Sequence, residues 1–240
     1  MSVHETQTTR RTTNTRRLLI GLTLFLSAGC FRLARPTPPL EEYVLGRGLA
    51  ASTAVPAPAR DTGGFTIGLR RLDLAPYLAT PAIVVRHGAR IVTSEFHRWG
   101  EEPGAGITRA VAEYLVAAPA ILAVDAAPWP VRVQHDYLVQ LHLFRLEGVA
   151  PEESTATEGE VHVVASWEIT RPGDGALLAR GQSDRREAGW RVGDYRGLVT
   201  LLETGLKGLA GDLTVCLARL GPAMPADTAA IGRAVVCGTR

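Results

Sequence analysis

The chain has 240 residues, enough for one domain of ordinary size with a sizeable hydrophobic core. Apolar residues make up 46% and charged residues 21%, a balance that excludes a disordered or fibrous chain. The formal net charge is +2, yet Arg10, Arg11, Arg16 and Arg17 all precede residue 30, and the remainder holds 22 basic against 23 acidic residues. That near-neutral remainder argues against a nucleic-acid partner.

Residues 1–17 are polar with four arginines, residues 18–26 (LLIGLTLFL) are almost purely apolar, and Ser27-Ala28-Gly29 lead into Cys30. This is the charged, apolar, small-residue order of a secretory signal peptide. Nine apolar residues fall short of the roughly 20 that a membrane-spanning helix needs. The paired arginines lack the context of a twin-arginine export signal. Small residues abutting a cysteine resemble the lipobox of bacterial lipoproteins, although Ser27 stands where that motif most often has Leu. The resemblance implies cleavage after residue 29, a diacylglycerol on the Cys30 sulfur and an amide-linked chain such as palmitate, the two hydrophobic signals that stable anchoring takes. A plain signal peptide, with Cys30 free or disulfide-bonded, is the bland alternative. Residues 30–39 then read as the lipidated cysteine and a flexible, proline-rich tether. Phe31 rather than Asp after the cysteine favours the outer membrane under the lipoprotein sorting rule.

The folded part is expected over residues 40–222. EEYVLG is a short strand candidate, and the Gly, Ala and Pro-rich residues 46–60 read as a loop. Residues 64–74 alternate through Phe65, Ile67 and Leu69 and then shift phase to Leu72 and Leu74, a strand with a bulge or bend. PAIVVRHGARIVTSEF is a hairpin turning at His87-Gly88-Ala89. Ile107, Val111, Tyr114, Leu115 and Ala118 fall at helical spacing. After breaks at Pro128 and Pro130, odd-numbered apolar residues from Val131 to Leu143 predict one long half-buried strand. A polar loop over 148–158 leads to a second hairpin, turning at Arg171–Gly175. Leucines from 198 to 220 recur at three- and four-residue steps, a second helix whose Gly205, Gly208 and Gly211 weaken it unless packing compensates. The expected fold class is α+β: one domain, a mainly antiparallel sheet with two principal helices on one face. Residues 223–240 read as a C-terminal tail.

Cys216 lies in the second helix and Cys237 in the tail. A disulfide between them would staple the tail back and suits an exported protein. A buried Cys216 with a loose tail thiol is equally open, because spacing settles no connectivity. Catalytic signals are thin. GQSDR lacks the second glycine of a nucleophile elbow. GRGLAA mimics a phosphate loop without the helix that should follow. The sharpest metal reading pairs His142 with His162 on neighbouring strands, with His135 and Asp136 on mixed faces, and no motif supports it. No enzyme, metal or cofactor is expected.

LAPYLATPAIVVR, then EFHRWGEEPGAGITRAVAEYL, then the leucine-rich helix, behind a lipobox and an early YVL strand, resemble the ABC-type transport auxiliary lipoproteins, the PqiC-like family. The resemblance runs over most of residues 40–220, and its most specific parts are Tyr77-Leu78 with Pro81, Ile83-Val84 to Arg86, and Arg98-Trp99 with Pro103. It implies a non-enzymatic lipoprotein on the periplasmic face of the outer membrane. The implied partners are an MCE-domain (mammalian cell entry) protein and its ABC permease and ATPase. The system would move lipids or other hydrophobic molecules and support envelope integrity; a homo-oligomer stays open. The motif residues Tyr77, Leu78, Pro81, Arg86 and Trp99 have two readings, partner contact or packing. Pro76 and Pro81 bracket a turn that delivers Tyr77 and Leu78 to one place, and Trp99 before the helix suits an apolar plug between helix and sheet. The competing functional reading is a stand-alone lipoprotein with a small apolar ligand in a pocket beneath the helices.

Overall fold

A computed structural model describes residues 38–46, 64–130, 133–152, 157–221 and 234–238. Among these, the chain runs β1 (Glu41–Tyr43), β2 (Phe65–Leu69), β3 (Asp73–Leu74), a 3-10 turn (Pro76–Leu78), β4 (Ala82–His87), β5 (Arg90–Trp99), α1 (Pro103–Val116), β6 (Ile121–Ala126), β7 (Tyr137–Ala150), β8 (Glu158–Thr170), β9 (Leu177–Arg191), α2 (Tyr195–Leu220) and β10 (Val235–Gly238). The fold is α+β, as the pattern predicted. Its long ladders are the antiparallel hairpins β4–β5, β7–β8 and β8–β9.

The parallel pairings are short, and the sequence did not disclose them. Three successive strands dock along one edge of β7, all parallel to it. Ile67 to Leu69 of β2 pair with Tyr137 to Val139, Asp73-Leu74 of β3 with His142-Leu143, and Val85 to His87 of β4 with Gly148 to Ala150. β6 lies parallel to β2 on its other side. Residues from Val133 to Asp136 are not strand. β8 ends at Thr170, paired with Leu138, so no ladder awaits them. Asp136 instead accepts hydrogen bonds from the Thr66 amide (2.7 Å) and hydroxyl (2.9 Å), and His135 meets Asp125 at 2.9 Å. At its other end β7 runs on to Ala150, into the segment read as loop.

One sheet face is covered by the helices. Val161, Val163, Ala165, Trp167 and Ile169 of β8 alternate inward and are essentially inaccessible, as are Leu198, Leu202, Leu206 and Leu213 of α2. Each such leucine contributes roughly 1.5–3 kcal/mol of burial. Gly205 explains how a glycine-bearing helix is retained: a Cβ there would stand 2.6 Å from the Val163 side chain, so the glycine lets α2 close onto β8. Both helices are capped by carboxylates. Glu102 accepts from the Gly104 and Ala105 amides ahead of Pro103, and Asp194 accepts from Gly197. Neither helix is long and apolar enough to cross a membrane.

Two short strands close the sheet edges. β1 pairs with only three residues of β5, and the preceding Pro38 and Pro39 bracket its start, Pro39 lacking the N–H that would lengthen the ladder. It is secured from outside the ladder. His97 stacks on Tyr195 at 4.1 Å and meets the Tyr43 hydroxyl at 3.1 Å. Arg109 donates to the Leu45 carbonyl at 2.9 Å, and the Gly46 amide donates to Glu203 at 2.7 Å. At the far edge, within the segment read as tail, β10 pairs parallel with Ala179–Gln182. Cys237 there is bonded to Cys216 of α2, with Cα atoms 5.7 Å apart. Gly181 is required beneath it, since a Cβ would meet the Cys237 carbonyl oxygen at 2.4 Å.

Joining positions 21 apart in sequence is worth on the order of 3 kcal/mol in the chain-entropy model. Reduction is therefore expected to lower the thermal midpoint by several degrees while leaving the far-ultraviolet dichroism unchanged; an unaltered melt under reductant would show that the bond contributes nothing.

Candidate docking site

Along the β7 edge, β3 stops at Leu143 and β4 begins at Gly148, so Phe144 to Glu147 have no ladder partner on that side. The gap coincides with a bulge. Leu143 faces Ala165 and Arg145 faces Val164, leaving Phe144 as the extra residue. Two of the family-motif residues, Tyr77 and Arg86, meet here. The Tyr77 hydroxyl, carried by the 3-10 turn, donates to the Phe144 carbonyl at 2.9 Å, replacing the missing main-chain donor. Arg86 of β4 grips Glu147 with two bonds, Nε to Oε1 at 2.5 Å and Nη2 to Oε2 at 3.1 Å. Its guanidinium also lies 5.7 Å from the centroid of the Tyr77 ring.

Glu147 is fully buried although it points away from the helices, whereas the Arg86 side chain is 20% exposed. Glu147 holds the Arg86 guanidinium above its ordinary value, by hydrogen bonding first. Burial pushes the Tyr77 phenol up to about 12, with Glu147 adding to the shift. The neighbouring Arg145 reaches the same carboxylate only at 4.0 Å and places Nη1 3.5 Å from His162 Nδ1. His162 Nε2 in turn meets Glu160 at 2.6 Å.

The remaining motif residues are placed elsewhere. Leu78 is buried in the core. The Pro81 carbonyl accepts the Trp99 amide at 2.7 Å. Trp99, half-buried, lines a cavity of about 10 Å³ with Leu45, Pro103 and Ile107, between sheet and helix. Proximity therefore splits the motif into a buried-charge cluster, Tyr77 with Arg86, and a packing pair, Pro81 with Trp99. Cys30 lies outside the described residues.

Glu147 and Phe144 were missed in the sequence. Strict alternation from Tyr137 puts Glu147 on the helix-facing side; the bulge turns it over. The visible signal was the three-residue step from Leu143 to Leu146. The histidines proposed as metal ligands are apart: His142 pairs with Ser166 across the ladder and bonds Asp73 at 3.0 Å, and His162 lies four residues further back on β8. Among the described residues no group of three or more His, Cys, Asp or Glu side chains could hold a metal. A second cavity, of about 70 Å³, lies by Trp167, Cys216 and Cys237.

The family model of the ABC-type transport auxiliary lipoprotein component matches residues 43–214, which take in every motif residue above. The chain belongs to that family. As a transport auxiliary lipoprotein it is an accessory component of ABC transport, a role that implies no catalysis, and lipoproteins of this family are membrane-anchored. A crystal structure of a protein from Xanthomonas campestris is similar in fold, with a TM-score of 0.56 at 12% identity, over 76% of this chain and 93% of that one. A second crystal structure aligns with a TM-score of 0.55, also at 12% identity, over 75% of this chain and 99% of that one. At such identity the likeness concerns the fold alone. No curated protein matches the sequence.

Two outcomes are expected of the cluster. Glu147→Ala leaves Arg86 without its carboxylate and should cost about 3 kcal/mol in urea unfolding, most of it regained in Arg86→Met/Glu147→Leu. An equal loss in the double variant would show that the ion pair is not the cause. Tyr43, Tyr77 and Tyr114 each lie at about 12 in the folded chain, above the ordinary 10.0. The unfolded chain ionises first, so stability is full below about pH 10 and falls as pH rises towards 12. Tyr77→Phe should be less stable at neutral pH and show a shallower alkaline fall.

Proposed function

We infer that this protein is the lipid-anchored accessory subunit of an MCE-type ABC transport system. The system moves lipids or other hydrophobic molecules between bacterial membranes and supports envelope integrity. In this reading residues 1–29 are removed, Cys30 carries the diacylglycerol, and residues 31–39 tether the folded body to the periplasmic face of the outer membrane. The body contacts the MCE-domain protein and, through it, the permease and ATPase. The observation that carries the reading is the family match across residues 43–214, with a lipobox-like cysteine ahead of it. The buried cluster around Glu147 supports a scaffold built to hold a surface rather than to turn over a substrate.

A ligand pocket beneath the helices finds less support. The cavities by Trp167 and by Trp99, of about 70 and 10 Å³ among the described residues, are well below the roughly 300 Å³ at which small-molecule sites begin.

Two measurements test the proposal. Cys30→Ala should move the protein from the membrane to the soluble periplasmic fraction or stall its processing; unchanged fractionation would remove the lipid anchor. The tagged wild-type protein should retain an MCE-domain protein of the same cell after detergent extraction, and no association under any condition would sink the partner assignment.

A further inference from the structure

We propose that Phe144 and Arg145, displayed by the clamped bulge of β7, form the contact point for the partner protein, which meets them with an apolar cleft edged by a carboxylate. This rests on the accessory-subunit reading above.

Phe144 is 51% exposed at the bulge in the middle of β7. A single exposed apolar side chain is ordinary on a protein surface; what surrounds this one is not. The bulge that lifts it is fixed at the residue itself and just beyond it. Tyr77 holds its carbonyl, and three residues on Arg86 holds Glu147 by two bonds. A fully buried carboxylate is costly to maintain, and here its geometric product is the bend from which Phe144 projects. Bulges that re-aim a side chain recur beside functional sites.

The charge around Phe144 defines the partner. Arg86 and Arg145 converge on one carboxylate, and Arg86 occupies both of its oxygens. Glu160 is taken by His162, and Asp184, one strand further, by Arg186. Arg145, 43% exposed, shares that single carboxylate at 4.0 Å, so two guanidinia meet one anion next to an aromatic ring. Arginine and aromatic residues at a rigid position are the usual anchors of protein interfaces, and a surplus guanidinium is best met by a carboxylate. A bilayer surface fits less well, since the same sheet face intersperses the exposed acids Asp73, Glu168 and Asp184 with Arg180 and Arg186 and so offers anionic lipid no uniformly basic surface.

The test uses the full chain and the MCE-domain protein of the same cell, with affinity measured by interferometry for the wild type, Phe144→Ala, Arg145→Glu and Arg145→Lys. The Tyr77 bond goes to a backbone oxygen and survives each substitution, so the melting temperatures should stay within a few degrees of wild type. The expected result is about tenfold or greater weakening for Phe144→Ala and Arg145→Glu, with Arg145→Lys intermediate. Wild-type binding with undiminished affinity in both variants overturns the contact point and leaves the accessory reading intact. Absence of wild-type binding overturns the reading and the contact point together. Binding of the Cys30→Ala chain to phosphatidylglycerol vesicles, lost in Cys30→Ala/Phe144→Ala, would replace the protein partner with a membrane.

Discussion

The sheet depends on how one edge of β7 is filled. A parallel strand can enter a sheet only after a crossover, and three short strands enter along this edge without covering all of it. The main chain between Phe144 and Glu147 is left without a neighbour, at a place where the strand already carries one residue too many. An unpaired backbone group and a buried carboxylate would each destabilise the fold on their own. Supplying a phenol to the first and a guanidinium to the second turns two deficits into a fixed corner. The β3-to-β4 segment supplies both groups from positions nine residues apart, so the order β3, turn, β4 is set by where β7 needs donors.

Much of this fold was legible in the sequence because it follows local periods. The alternation from Tyr137 to Leu143, the leucine steps of α2 and the turn at Arg171–Gly175 each reflect a pattern that one element imposes on itself. The parallel ladders were not legible, because a two- or three-residue pairing leaves no period to read. Val133 keeps the alternation of the following strand, yet strand formation needs a neighbour, and β8 has already ended; Val131 lies outside the described residues. The residues of the docking site were half legible. The family pattern singled out Tyr77 and Arg86, but the acid they serve is 61 residues from Arg86, and only the sheet register brings it near.

The two ends of the sheet are secured differently. At β10 four parallel pairs are reinforced covalently, and glycine at position 181 clears the space. Helix α2 benefits from this, since its C-terminal half is bonded to the sheet edge and its first half is seated by Gly205 against Val163. A helix with four glycines is thus held by its surroundings, not by its own propensity.

β1 has a mechanical consequence. Any pull on the chain ahead of Leu40 enters the folded body through a strand with three ladder pairs, which alone would peel from the edge one bond at a time. The residues just beyond it are fastened to α1 through Arg109 and to α2 through Glu203. Load therefore passes behind the strand into both helices at once, and the edge of the sheet carries only part of it.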